Sequence, residues 1–381
     1  MKHKLLSTAV VLCAAVGALA QGNTSTVSST GSGNTATVSQ AGSVNNSKVN
    51  QTGDNNTATS GQTGSANQSS QEQNGNNNAV WNNQWGDNNI SQQFQQGSDN
   101  QGGAYQSGSS NEVYQQQIGD GNYANSSQGG DGNWAAQNQN GTGNNANNYQ
   151  SGSGNSLQQS QGGSWNSAWS NQGGDGNVGG QFQNGNGNNA TNYQFGSNNY
   201  AQQTQDGNNN YSFNYQSGSD NYHVTNQQGD GNYAWGYQIG DGNHSHQLQW
   251  GDYNSAGLYI VGSGNRTEQH VWGTSNNQYI QQIGNNNIAE QMTGWNRYIV
   301  DGSWVYGYYI QDTESNYNGA NTNQFGDDNE AYTFQNGNFN YSTIYQNGNG
   351  NSATVNQRGD NHMSSITQIG SGNVAIVTQT N

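Results

Sequence analysis

Proline is absent from all 381 residues, cysteine occurs once, and charged side chains make up only 7% of the chain. Disordered chains are usually enriched in proline, so its absence argues against a purely disordered protein. Hydrophobic residues reach only 28%. That excludes a domain built on an ordinary Leu/Ile/Val core. Basic residues are rarer than acidic ones, with 6 Lys+Arg against 22 Asp+Glu and a formal charge of −16. Sparse, acidic charge argues against a nucleic-acid partner. Met1–Ala20 reads as a secretory signal peptide: Lys2 and Lys4, the apolar run Leu5–Leu19, then Ala18-Leu19-Ala20 ahead of Gln21. Its removal leaves 4 Lys+Arg against 22 Asp+Glu, hence −18, and takes away Cys13. The processed chain then has no disulfide and no thiolate metal site. No second apolar stretch is long enough to span a membrane.

What the chain does have is Gly, Asn, Gln, Ser and aromatics, including 57 Gly, 22 Tyr and 10 Trp. Gly recurs at every eleventh position from Gly31 to Gly284, and again at Gly326, Gly337, Gly348, Gly359 and Gly370. Three residues after each of these stands Asn, except at His362. Two residues before each stands Gln, except at Ser29, Ile260 and Val271. Counting from each Gly, positions +3, +5, +7 and +9 share one parity and face one side of a strand. The Gly/Asn/Asp/Ser-rich stretch from the Gly to +2 reads as a tight turn. Each unit is therefore a short strand and a turn, and parallel stacking of such units gives a β-solenoid. Sixteen Tyr fall at +4, +6 or +8, the opposite parity, which puts the rings outside and the amides inside.

The full period is twice as long. At +7, Gln appears in alternate units, at Gln71, Gln93, Gln115, Gln137, Gln159, Gln181, Gln203, Gln247, Gln269 and Gln291, with Thr225 in sequence. One coil thus holds two inequivalent strands, and the chain accommodates about 16 coils at this period. Asn and Gln recurring once per coil are expected to stack, each amide donating to one neighbour and accepting from the other. The expected ladder residues include Gln117, Asn122, Gln128, Asn133, Gln139, Asn144, Gln346, Asn351, Gln357, Gln368, Asn373 and Gln379. Toward both ends the interior turns aliphatic, with Val38, Val49, Ile344, Val355, Ile366 and Val377.

The repeat Gln-x-Gly-x-Gly-Asn-x-Ala-x-x-x-Gln resembles that of curlins, the subunits of curli amyloid fibres. Close matches are Gln117-Ile-Gly-Asp-Gly-Asn-Tyr-Ala-Asn-Ser-Ser-Gln128, Gln346-Asn-Gly-Asn-Gly-Asn-Ser-Ala-Thr-Val-Asn-Gln357 and Gln368-Ile-Gly-Ser-Gly-Asn-Val-Ala-Ile-Val-Thr-Gln379. The resemblance implies a two-strand-per-coil solenoid and self-assembly seeded by a nucleator subunit. It also implies export through an outer-membrane channel and a fibre in a bacterial biofilm matrix. This array is longer than is typical of the family, and Asn stands where the family often has Ser.

Other features have plainer readings beside sharper ones. The Gly-Asp-Gly-Asn turns suggest calcium repeats, but at the wrong period; Asp in turns reads better as a gatekeeper against aggregation. His244 and His246 share an outer face, with Glu268 and Glu290 following His246 at one-coil steps. A solvated His–Glu pair is favoured there over a surface metal site. His223, at an inner small-residue position, reads as a tolerated substitution. Tyr193, Tyr215, Tyr237 and Tyr259 stand one coil apart, with Tyr211, Phe213, Tyr233 and Trp235 on the same strands. They predict an exposed aromatic column, suited to matrix polysaccharide or to fibre bundling. Between Gly284 and Gly326 the register fails, because the spacing falls two short of four whole units. That segment carries Trp295, Tyr298 and Trp304 and an Asp301-Gly302 hairpin signal. No nucleophile elbow, phosphate loop or paired-His zinc helix is present, and no cofactor is implied.

The sequence thus predicts an all-β, curlin-like β-solenoid with residues 1–20 as signal peptide, 21–30 as a short lead and 31–284 as a regular array. Residues 285–325 are an irregular aromatic-rich segment, followed by further repeats over 326–381. The expected function is a secreted, non-enzymatic subunit of extracellular amyloid, with itself as main partner. The alternative is a monomeric solenoid adhesin binding glycans or ice.

Overall fold

A computed structural model describes residues 10–12, 22–294, 296–300, 303–309 and 315–381. Among them there is no helix, and every regular element is a strand. Among the described residues, none forms a helix long and apolar enough to cross a membrane. The signal-peptide assignment falls outside the described residues except for Val10–Leu12, a strand lying parallel on Ala36–Val38.

The strands alternate between two sheets, here A and B. The chain divides into two units, residues 1–187 and 188–381, each built the same way. In the first unit, sheet A runs from Thr35–Ser43 to Ser167–Asp175, seven strands spaced one coil apart. Sheet B runs from Thr24–Thr30 to Val178–Asn186. In the second unit, sheet A runs from Asn189–Ser197 to Met363–Ile369, eight strands. Its sheet B runs from Tyr200–Asp206 to Val374–Thr380. All pairs within these sheets are parallel. Each unit is a β-solenoid with two strands per coil, and the two together hold fifteen sheet A strands after the leader, where the period alone suggests one more.

The difference lies in the irregular segment. Asn277–Ile283 pairs with Gly319–Phe325, and Ile288–Thr293 with Glu330–Asn336. These partners are separated in sequence by nearly two coil lengths, yet they are adjacent in the sheets. The excess is therefore an insertion into a single turn, between Gly294 and Ser315. Ser315 takes the place of the repeat Gly there, its carbonyl accepting from Asn276 Nδ2 at 2.8 Å. Within the insertion, Asn296–Val300 and Ser303–Tyr309 form an antiparallel hairpin. Trp295 and the Asp301-Gly302 signal lie outside the described residues.

The interior is mostly polar. The +7 Gln column lies on sheet B, facing Ser60, Asn82, Ala104, Ser126, Asn148 and Ser170 on sheet A, all buried. Aliphatic residues gather in separate clusters: Ala36, Val38, Val49, Ala58 and Val80 in the first unit, and Ala331, Ile344, Ala353, Val355 and Ile366 in the second. A further small cluster, Leu258, Ile280 and Ala289, interrupts the amides of the second unit.

Candidate functional site

The repeat Gly is required twice over. Gly130 has φ 104°, a region that side chains avoid. A Cβ there would also run into the carbonyl of Gly152, one coil on. The coils approach this closely because the Gly carbonyl is tied inward: Asn111 Nδ2 donates to Gly130 O at 2.7 Å. Position +2 is also left-handed, at Gly121 (φ 65°) but equally at Val44 (58°), Trp165 (58°) and Tyr253 (55°). The aromatic examples lie over a glycine one coil back; the Trp165 ring fills the space above Gly143, and Tyr253 that above Gly231.

The two amide columns run in opposite directions. Each Gln donates forward: Gln95 to Gln117 at 2.7 Å, Gln117 to Gln139 at 2.9 Å, Gln128 to Gln150 at 2.9 Å. Each Asn donates backward: Asn122 to Asn100, Asn133 to Asn111 and Asn144 to Asn122, through both the backbone N–H and Nδ2. Gln also bridges the sheets, since Gln117 Nε2 reaches the Gln101 carbonyl and Gln139 Nε2 that of Tyr123. In the second unit Gln324, Gln346 and Gln368 continue one ladder, and Gln335, Gln357 and Gln379 the other. Asn373 donates to Asn351 Oδ1 through both its backbone N–H and Nδ2. All the predicted ladder residues are buried except Gln379, partly buried, and Asn373, exposed.

Turn carboxylates do more than repel. Asp54, Asp87, Asp120, Asp131, Asp175 and Asp241 each accept a backbone N–H from the preceding coil at 2.7–2.9 Å. They close the polar accounts of exposed turns.

Where a ladder breaks, its first acceptor is orphaned. Gln51 Oε1, Gln71 Oε1 and Gln282 Oε1 are buried without a partner. The residues one coil before them are Ser29, Val49 and Ile260, none of which can donate an amide. At Thr225 the break is filled differently. His223, fully buried, bonds Ser245 Oγ through Nδ1 at 2.6 Å and Thr225 Oγ1 through Nε2 at 2.9 Å. Its ring occupies the space a side chain at Gly236 would need. Burial, reinforced by His246 and His244, pushes its pKa down to about 3, so it is neutral. His223 is thus half of a size-matched pair across the core rather than a merely tolerated residue. Gly236, its counterpart, could have been flagged as the one Gly in the sheet A +7 column.

The aromatic column lies on the outer face of sheet A in the second unit. Tyr211 and Tyr233 stack at 4.9 Å. Tyr193–Phe213, Phe213–Tyr237, Tyr215–Tyr237, Trp235–Tyr237 and Tyr237–Tyr259 follow with centroids 5.2–6.3 Å apart. Phe195 and Tyr279, unanticipated, join it through Tyr215 and Trp235. Trp235 lies across Gly257, which clears its path to Tyr279. The rings shelter one another, so most are half-buried and only Tyr233 is exposed. Burial and the neighbouring Tyr233 raise the Tyr211 pKa.

On sheet B, Tyr200, Tyr222 and His244 form a parallel stack at 4.8 and 4.6 Å. His246 is in register with Glu268, and Glu268 with Glu290. Glu268 is ion-paired with Arg266 and, like Glu290, buried rather than solvated. Burial lowers the pKa of His246, with Glu268 opposing. Among the described residues, no three His, Cys, Asp or Glu side chains are grouped to hold a metal ion.

This is a parallel β-solenoid whose interior is ordered by opposed amide ladders, a repeat architecture in which each coil is built on its neighbours. The stretches 326–359 and 348–380 match the family model of the curlin associated repeat. The coils before them carry the same Gly, Asn and Gln columns. No curated protein matches the chain.

Proposed function

We propose that this chain is a secreted structural subunit that self-assembles into extracellular cross-β fibres of the curli type, serving a biofilm matrix and surface adhesion. The observation that carries this is the exposed coil Met363–Thr380. Met363, Ile369, Val374 and Ile376 are 71–74% exposed, beside parallel strand edges that present unpaired backbone groups. Such an edge is a template for a strand in the same register. A nucleator and an outer-membrane channel follow from the family resemblance, and the signal peptide supplies the route to them. Incubating the purified secreted chain should yield fibres with a cross-β reflection at about 4.7–4.8 Å. A chain that stays monodisperse would remove this reading.

A second reading is favoured by the aromatic band. Contiguous rings on a solvent-facing sheet suit the apolar faces of a polysaccharide. In that reading the solenoid is an adhesin, alone or within a fibre.

A further inference from the structure

The strand Thr24–Thr30 covers the sheet B edge of Asn46–Thr52, but it covers it poorly. None of its residues is buried, whereas Ser47, Val49 and Gln51 opposite are. Ser29 lies in register with Gln51 and is too short to reach it, so Gln51 Oε1 has no partner although the residue is 2% exposed. Nor does this strand bring a sheet A companion with it. Among the described residues, the sheet A edge of Thr35–Ser43 is met only by Val10–Leu12, within the segment assigned to the leader.

The coil Met363–Thr380 has what Thr24–Thr30 lacks. It carries a strand for each sheet, Met363–Ile369 and Val374–Thr380, with Gln at both ladder positions. Aligned by the Gly and Asn columns, Gln379 falls on Gln51 and Gln368 on Gln40. Val377 then falls on Val49, and Ile366 on Val38. Because every Gln donates forward, Gln379 Nε2 would meet the orphaned Gln51 acceptor. The bonds Thr24–Thr30 now makes are reproduced as well. Gln40 Nε2 donates to the Thr24 carbonyl and Asn45 N–H to Asn23 Oδ1; Val374 O and Asn373 Oδ1 occupy the equivalent places.

We propose that Thr24–Thr30 is a displaceable cap, and that the Met363–Thr380 coil of a second copy replaces it on the coil Thr35–Thr52. The exchange gives up one strand pairing and gains two. It also satisfies a buried acceptor and joins the aliphatic residues at the two edges. Retaining Thr24–Thr30 instead would leave a one-strand gap in sheet A at every junction. The opposed directions of the amide ladders allow only this head-to-tail sense. The inference rests on the self-assembly reading and specifies its joint.

The test is a reversible lock. Thr26 and Lys48 are register partners on the exposed face. Adjacent strands lie about 4.8 Å apart, within the Cα separation a disulfide spans. The secreted chain carrying Thr26→Cys and Lys48→Cys is added to preformed fibre seeds, oxidised or reduced. Oxidised chain should add at most one layer and then stop, and reduction should restore growth. Ser29→Gln, which supplies the missing amide and strengthens the cap, should slow elongation relative to wild type. Wild-type growth matched by both the oxidised double variant and Ser29→Gln would overturn the cap. Absence of fibres from wild type would instead overturn the assembly reading.

Discussion

The coils from Ile90 to Ser164 in the first unit and those from Tyr222 to Ile283 in the second share a backbone but not an interior. In the former, Gln93, Gln115, Gln137 and Gln159 run without interruption, as do the two −2 ladders. In the latter, Thr225, Ile260 and Val271 break the ladders, and Leu258 and Ile280 replace small residues. The turns do not differ in the same way: Gly with positive φ and Asn at +3 persist through both stretches. The lesson is that the turn fixes the coil, while the core accepts any filling that conserves volume and pairs its polar atoms. His223 with Gly236 meets both conditions. Ile260 meets only the first, and Gln282 Oε1 is left orphaned above it.

Breaking the turn should therefore cost most. Gly130→Ala forces a Cβ into positive φ and into the neighbouring carbonyl, and a loss of about 3 kcal/mol or more is expected. Denaturant unfolding of the variant measures it; a loss below about 1 kcal/mol would show that the turn tolerates a side chain.

His223 sharpens the comparison through pH. Its folded pKa of about 3 lies below the ordinary value of 6.5. Between those limits the unfolded chain binds the proton that the native core refuses. Stability from this group is complete above the ordinary value and falls as pH drops toward the folded one, by about 1.4 kcal/mol per unit. The unfolding free energy of His223→Asn should show a shallower slope than wild type over that window. Equal slopes would mean the imidazole is not held neutral.

The smallest effect is a repair. Ile260→Gln inserts an amide between Gln238 and Gln282, supplying the orphaned acceptor. Stability should rise by about 1 kcal/mol, the net worth of such a bond, as a shift of the thermal midpoint. A fall would show that the lost aliphatic packing outweighs the ladder.

Much of this was legible in the sequence because the fold is one-dimensional. The period states which residues are neighbours, so Gln117 over Gln139 and Tyr211 over Tyr233 follow from counting. Parity then assigns inside and outside. Counting stops where the period is interrupted: the interval from Gly284 to Gly326 reads as either a bulged coil or a protruding hairpin, and only the strand pairing shows one coil with a hairpin inserted in a turn. It fails also across the core, because no spacing relates His223 to Gly236, which meet only when two sheets face each other. Direction is invisible as well. Whether an amide donates forward or backward depends on which carbonyl lies within reach: for Asn the inward-turned carbonyl of the repeat Gly, for Gln the first residue of the opposite sheet's strand.

The sequence by itself determined the coil, its two strands and the identity of each stacked column, since parallel in-register stacking makes each residue's neighbour its own equivalent one coil away. Only the tertiary structure decided the sense of the ladders, the pairing of large with small across the interior, and which acceptors stand alone. Those depend on distances between two sheets that periodicity along the chain does not encode.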